Sequence, residues 1–333
     1  MLQQTRVETV VPYYQRFLAS FPTVRALAEA PSDRVMSHWS GLGYYRRARL
    51  LHEAAQQIVA TRGGVLPSSA GGLLEIRGIG RYTAGAIASI AFGERTPVVD
   101  GNVARVLARL FAVEEDVQRG EGEKRIWALA EALVPAARPG DWNEALMELG
   151  ATTCVPRAPR CLVCPVRGVC EGRARGIEAS LPILRKRSLP SVEHGVALVA
   201  RVRGAVVLTR RRPGGLFGGL WEPPIVKGFA SDGDARRALG ALLGRRLSAT
   251  KLAGVVSHTL SHRQLLTRVL TASFARPPSL SDAPGTYDAI RTVPPAELAA
   301  LGISTFATKV LALAGVEISG DLIRVPRGAI VAS

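Results

Sequence analysis

From the first residue to about residue 153, apolar side chains recur at threes and fours, in segments such as Thr23–Ala30, Arg34–Trp39, Arg47–Val59 and Lys124–Val134. That spacing lines one face of a helix. Turn signals divide the segments at Phe21-Pro22, Ala30-Pro31, Gly63-Gly64, Gly71-Gly72 and Arg138-Pro139-Gly140. The first half is therefore predicted to be all helix. Residues 171–191 mix charge, glycine and proline without a period, as a linker does. Beyond them the texture changes: Val196–Val199 and Ala205–Leu208 are short β-rich runs on either side of Arg203-Gly204, a predicted hairpin. A glycine-rich loop (213–219), Trp221-Glu222-Pro223-Pro224, a predicted helix over Asp232–Leu243 and strand-like runs near 252–258 and 264–274 complete a small mixed α/β domain. The expected organisation is an all-α domain over residues 1–175, a linker over 176–190, an α/β domain over 191–313 and a tail over 314–333.

A length of 333 residues favours two cores over one. At 47% apolar and 21% charged residues, a mainly disordered chain is excluded. Apolar runs such as Ala84–Phe92 fall short of the roughly 20 residues that a membrane span needs. Met1–Val11 has no basic start and apolar core, so the expectation is a soluble, unexported, cytoplasmic monomer without a membrane partner, associated with the nucleoid if bacterial. The net charge of +16 and pI near 10.7 call for an anionic partner, nucleic acid or an acidic membrane face. Most of the surplus, +12, lies in residues 181–333.

All four cysteines, Cys154, Cys161, Cys164 and Cys170, fall within seventeen residues, separated by six, two and five residues. Disulfides are uncommon in cytosolic chains, and scattered structural cysteines would not collect in one loop, so the cluster reads as a metal centre. Spacing alone leaves tetrahedral zinc and an iron–sulfur cluster both open. Arg157, Arg160, Arg167, Arg173 and Arg175 surround the thiols with only Glu171 against them, which suits contact with phosphates. Upstream, Leu74–Gly85 reads as a helix end, a tight Gly78-Ile79-Gly80 hairpin and a new helix at Arg81, whose first amides can hold a phosphate oxygen. Taken alone this is also an ordinary interhelical turn. Asp100 precedes a helical run and by spacing is a good N-cap.

The cysteine intervals, the Gly-x-Gly hairpin and the Val98–Val106 segment after it resemble the helix-hairpin-helix DNA glycosylases, whose cysteine loop holds a [4Fe–4S] cluster. The resemblance implies that Cys154, Cys161, Cys164 and Cys170 ligate such a cluster. It also implies that Gly78, Gly80 and Arg81 touch DNA and that Asp100, with Tyr82 and Asn102, forms the catalytic centre. A carboxylate there stabilises the oxocarbenium-like sugar left by a departing base. Where related base-removing lyases have a Schiff-base lysine stands Tyr82, so the implied chemistry is hydrolysis alone. Arg77 occupies a position where that family usually has proline, which suggests a less rigid hairpin.

Met1–Val7, Trp39–Tyr45 and Asn143–Gly150 together resemble the MutY family of adenine glycosylases, over roughly residues 1–310. This resemblance implies a partner: double-stranded DNA with adenine mispaired with 8-oxoguanine or guanine. Gln4, Thr5 and Tyr44 would contact the duplex beside the lesion, and Leu2, Val7 and Glu144 would line the pocket for the flipped adenine. Arg210–Trp221 resembles the start of the family's Nudix-like domain, and Ser257–His262 its 8-oxoguanine loop, with Ser261 and His262 as polar contacts and Leu260 in place of the usual phenylalanine. Diphosphate hydrolysis is not expected, since residues 220–250 offer only Glu222, Asp232 and Asp234 for magnesium. The family's general-acid glutamate lies two residues before the motif that starts here at Met1, so the chain as written is expected to lack it. Three functions follow: an adenine glycosylase with a late-placed start, a lesion-binding protein of impaired activity, and an endonuclease III-like glycosylase and lyase. Tyr82 and the second domain speak against the last.

Overall fold

The computed structural model describes residues 1–3, 5–185, 190–228, 231–260, 262–281, 285–318 and 330–331. Four helices open the chain: α1 (Val7–Ser20), α2 (Val24–Glu29), α3 (Ser32–Trp39) and α4 (Arg46–Arg62). Thr23 accepts from the Ala26 amide at 3.0 Å, the side-chain cap that lets α2 start directly after the Phe21-Pro22 break. Next come α5 (Ala70–Leu74), α6 (Arg81–Ala86), α7 (Gly101–Leu110), α8 (Gly120–Leu133), α9 (Pro139–Thr152) and the short α10 (Glu171–Ala174). The strands are β1 (Ser191–Val202), β2 (Ala205–Arg211), β3 (Trp221–Glu222), β4 (Ile225–Lys227), β5 (Lys251–Thr259), β6 (Arg263–Phe274), β7 (Tyr287–Val293) and β8 (Ile330–Val331). α11 (Asp232–Leu242) lies between β4 and β5, and α12 (Thr305–Leu313) follows β7.

By packing, the chain forms two compact units, residues 1–56 with 188–333, and residues 57–187. In the first, a mixed sheet runs β3-β2-β1-β6-β5-β8, with β4 on β1 and β7 on β2. β1 and β6 are parallel in register from Ser191↔Arg263 to Val202↔Phe274. The predicted hairpin joins β1 to β2, and both Arg203 (φ 50°) and Gly204 (φ 86°) are left-handed, the backbone that a two-residue hairpin turn requires. β1 is buried on both faces. Val196, Leu198, Ala200 and Val202 meet Ala235, Leu239 and Leu243 around α11. Ala197 and Val199 belong to the other core, shared with Phe17, Met36 and Trp39 of the opening helices and Phe306 of α12. Ser40 Oγ donates to Ile303 O (2.5 Å) and the Trp221 indole to Asp33 Oδ1 (3.3 Å), so polar bonds pin the opening helices to the sheet as well.

The second unit is helical. Its core gathers Val103, Val106 and Leu107 of α7, Ile126 and Ala130 of α8 and Leu146 of α9. Gly150 lets α9 lie against α7: a Cβ there would sit 2.6 Å from that of Asn102. The 171–185 part of the expected linker packs here, with Arg109 Nε donating to Leu181 O (2.9 Å) and Val117 N to Ile183 O (3.4 Å). Among the described residues, no helix is long and apolar enough to cross a membrane.

Candidate active site and cysteine loop

In the helical unit, α7 organises the site from both ends. At its start Asp100 is the N-cap, and its Oδ1 accepts from the Val103 amide at 2.8 Å. Its Oδ2 accepts from Asn102 Nδ2 at 3.2 Å. The cap reading and the catalytic expectation thus fall on one half-buried carboxylate with both oxygens oriented. The Tyr82 hydroxyl points toward Met147 Sδ (3.8 Å), and burial together with the charge of Asp100 pushes its pKa up, so it stays a neutral phenol. Asp100, Asn102 and Tyr82 are therefore brought together.

Two residues without a role in the sequence reading hold this arrangement. Asn143, buried on α9, donates to Ser89 Oγ (3.0 Å) and Thr96 O (2.9 Å) and accepts from the Val98 amide (3.2 Å). It thereby fixes the stretch leading into Asp100. Arg105, 8% exposed, donates to Asn102 Oδ1 (2.9 Å), Gly150 O (2.7 Å) and Cys154 O (2.8 Å), spanning from the site to the cysteine loop. One turn on, Arg109 donates to Cys154 Sγ (3.4 Å), Val155 O (2.8 Å) and Pro156 O (3.0 Å). The signal was in the sequence: arginines at an i, i+4 interval on an otherwise apolar helix face ask for buried acceptors. Glu144, next to Asn143, is exposed on α9.

The glycine hairpin turns at Gly78 (φ 84°), and Gly80 caps α6 without a side-chain acceptor. Arg77 bears on the rigidity expected there. Its amide donates to Gln57 Oε1 (2.8 Å), while Gln57 Nε2 donates to Glu75 O (3.0 Å), a brace that proline could not complete. The Arg81 guanidinium lies 3.7 Å from the centre of the Trp127 ring.

All four thiols line one cavity of about 30 Å³ beside Val106, Arg109 and Leu149. Cys154 follows α9, Cys161 opens a single 3-10 turn and Cys170 caps α10. Burial, Glu178 and the other three thiols push the Cys161 thiol up. Among the described residues, no three His, Cys, Asp or Glu side chains converge closely enough to hold a single metal ion. The five arginines of the loop are exposed, and Arg175 pairs with Glu114 at 2.5 Å.

In the other unit, Leu2 and Val7 are exposed apolar residues and Tyr44, also exposed, has a left-handed backbone (φ 47°). Arg47 ties this region together. Its guanidinium donates to Met1 O (2.9 Å), Gln3 O and Thr5 Oγ1 (3.1 Å), and lies 5.5 Å from the Trp39 ring and 5.3 Å from that of Tyr44. Gln4 and Ser261 lie outside the described residues, as does most of the expected tail. His262 is exposed at the β5–β6 turn, where Leu260 N donates to Arg263 O (2.8 Å). His258, among Phe217, Phe306 and Lys309, is held down to about 4 by burial and by that lysine. The acids of residues 220–250 each have a local partner: Glu222 binds Arg211 and Tyr287, Asp232 binds Arg268 (2.7 Å), and Asp234 binds Ser231 and Arg237.

Residues 1–132 match the HhH-GPD superfamily of base excision DNA repair proteins and residues 195–313 the NUDIX domain. The chain is 39% identical over 320 residues to an adenine DNA glycosylase of Homo sapiens, covering 81% of this chain and 59% of that one. It is 38% identical to that of Mus musculus, covering 86% and 65%. The chain thus spans about three fifths of the length of these relatives. Among solved structures, a thermostable thymine-DNA glycosylase is 29% identical, with a TM-score of 0.47 over 52% of this chain and 80% of that one.

Proposed function

We propose that the chain is an adenine DNA glycosylase of the HhH-GPD superfamily, as its match over residues 1–132 and its 39% and 38% identity to two adenine DNA glycosylases support, and that it excises adenine mispaired with 8-oxoguanine or guanine by hydrolysing the N-glycosidic bond. The observation that carries this is the Asp100 carboxylate, fixed by the Val103 amide and Asn102 beside a neutral Tyr82. As adenine leaves, the sugar becomes cationic, and a pre-oriented carboxylate stabilises that charge without having to reorganise. Tyr82 has no amine with which to form a Schiff base, so water completes the reaction and the strand stays intact. The bond is inaccessible inside a stacked duplex, so the base must be extruded. Leu2, Val7 and Glu144 are our candidates for the adenine pocket, Gln4, Thr5, Tyr44, Gly78, Gly80 and Arg81 for contacts to the duplex, and Ser261 and His262 for the oxidised guanine.

Cys154, Cys161, Cys164 and Cys170 would hold a [4Fe–4S] cluster. All four thiols line one cavity and supply the donor set that such a cluster needs. When bound, it would cross-link the loop that Arg105 and Arg109 join to α7 and present the exposed arginines to phosphates. The functional modules in this reading follow chain order, 1–175 and 191–313, of which the family matches cover 1–132 and 195–313. A DNA substrate places its action with the chromosome.

The test uses the native gene product on duplexes with adenine opposite 8-oxoguanine, guanine or thymine. Free adenine should appear from the first two, leaving an unbroken strand with an abasic site. Tight binding without release, or a borohydride-trapped protein–DNA adduct, would overturn this reading. Anaerobically purified protein should carry about four irons; one zinc per chain would contradict the cluster.

A further inference from the structure

A second basic feature lies in the sheet unit. α11 and the turn after it border a groove of about 870 Å³ whose charged lining residues are Arg236, Arg237, Arg245 and Arg246, with no acid among them. The turn is built to bring the two pairs together. Gly244 takes a left-handed φ of 58°, and the Arg245 amide donates back to Gly240 O at 2.9 Å, returning the chain beside the helix. A Cβ on Gly240 would come within 2.7 Å of Arg245 O, so this close return needs glycine.

The side chains are partly held in place. Arg245 lies 4.2 Å from the centre of the Phe274 ring and donates to Arg276 O at 2.9 Å. Arg237 pairs with Asp234, whereas Arg236 and Arg246 have no ion pair among the described residues. The other nearby acid, Asp232, is occupied by Arg268. Gathering four like charges is unfavourable in the isolated chain and becomes favourable against a polyanion. Guanidinium forks match phosphate oxygens in geometry as well as charge.

We propose that this groove binds the sugar–phosphate backbone of duplex DNA flanking the mispair, as a contact independent of sequence. The inference rests on the DNA-repair reading above and adds a second anchor to it. The groove is separate from the turn carrying His262: Arg245 and Arg246 precede the first residue of β5, and that turn follows its last. Nine strand residues at about 3.3 Å each put the two ends roughly 26 Å apart.

The experiment compares the native gene product with its Arg236→Ala/Arg246→Ala variant on a duplex of thirty base pairs with one central mispair, and on the same duplex without it. Both side chains reach solvent, so the variant should fold, and a thermal melt checks this. Losing two phosphate contacts should weaken binding to both duplexes alike and reduce the slope of log K against log salt by about 1.8. Single-turnover adenine release at saturating protein should not change. Unaltered affinity and slope, with the parent protein binding well, would overturn the groove and leave the repair reading standing. So would a variant that binds DNA normally but loses affinity for poly-glutamate, which would assign the groove to an acidic protein. A parent protein that binds neither duplex would overturn both readings.

Discussion

Asp100 and Glu222 are both acids that a sequence reading singles out, one in each unit, and their surroundings give them opposite characters. Asp100 is half-buried, and each oxygen accepts from a donor on its own helix start. It is oriented and can still face a ligand. Glu222 is 1% exposed; its Oε1 accepts from Arg211 Nε (2.6 Å) and the Tyr287 hydroxyl (2.7 Å), and Oε2 has no partner among the described residues. Burial pushes its carboxyl up, against the opposing pull of Arg211 and Tyr287. The same functional group is thus a candidate reagent in one unit and a structural tie between β2, β3 and β7 in the other. Position in the packing, rather than residue type, makes the distinction.

The largest expected effect on stability is at Arg105. Arg105→Ala would leave Asn102 Oδ1, Gly150 O and Cys154 O short of a donor, and chemical denaturation should show a loss of about 3–4 kcal/mol. A loss below 1 kcal/mol would mean that α7 does not depend on this tie. Glu222→Gln comes next. It keeps an acceptor for Tyr287 but strips Arg211 of its counter-charge, at a cost of about 1–3 kcal/mol in the same measurement. Arg77→Pro removes the amide that Gln57 accepts from and should cost about 1 kcal/mol; a gain instead would favour ring rigidity over the brace. His258 has the smallest effect at neutral pH. Its folded value near 4 lies below the ordinary 6.5, so the unfolded chain binds the proton first. Its contribution is fully present above pH 6.5 and is lost as pH falls toward 4. Melting across that window should show a slope that His258→Asn flattens.

Much of the architecture could be read from the chain. The period of three and four located α2, α3, α4 and α8, and the Arg203-Gly204 hairpin joins β1 and β2 where turn chemistry put it. α12 went unread, although Ser304 caps it by accepting from the Ala307 amide at 3.0 Å and a left-handed Gly315 (φ 70°) follows its end. The grouping of residues 1–56 with the sheet was also hidden, since periodicity shows which face is buried and not what buries it. At the site, Asp100 and the cysteines stood out as chemistry-bearing residues at telling intervals. Asn143, Arg105 and Arg47 did not, because their role lies in backbone acceptors far along the chain.

The most direct test measures single-turnover adenine release from one 8-oxoguanine-containing duplex by the native gene product, by Asp100→Asn and by Glu222→Gln. Asparagine still caps α7, so the helix and DNA binding should survive. Release by Asp100→Asn should fall on the order of 10²–10³-fold, while Glu222→Gln, once folded, should match the parent. Release by Asp100→Asn at the parent rate would contradict the account.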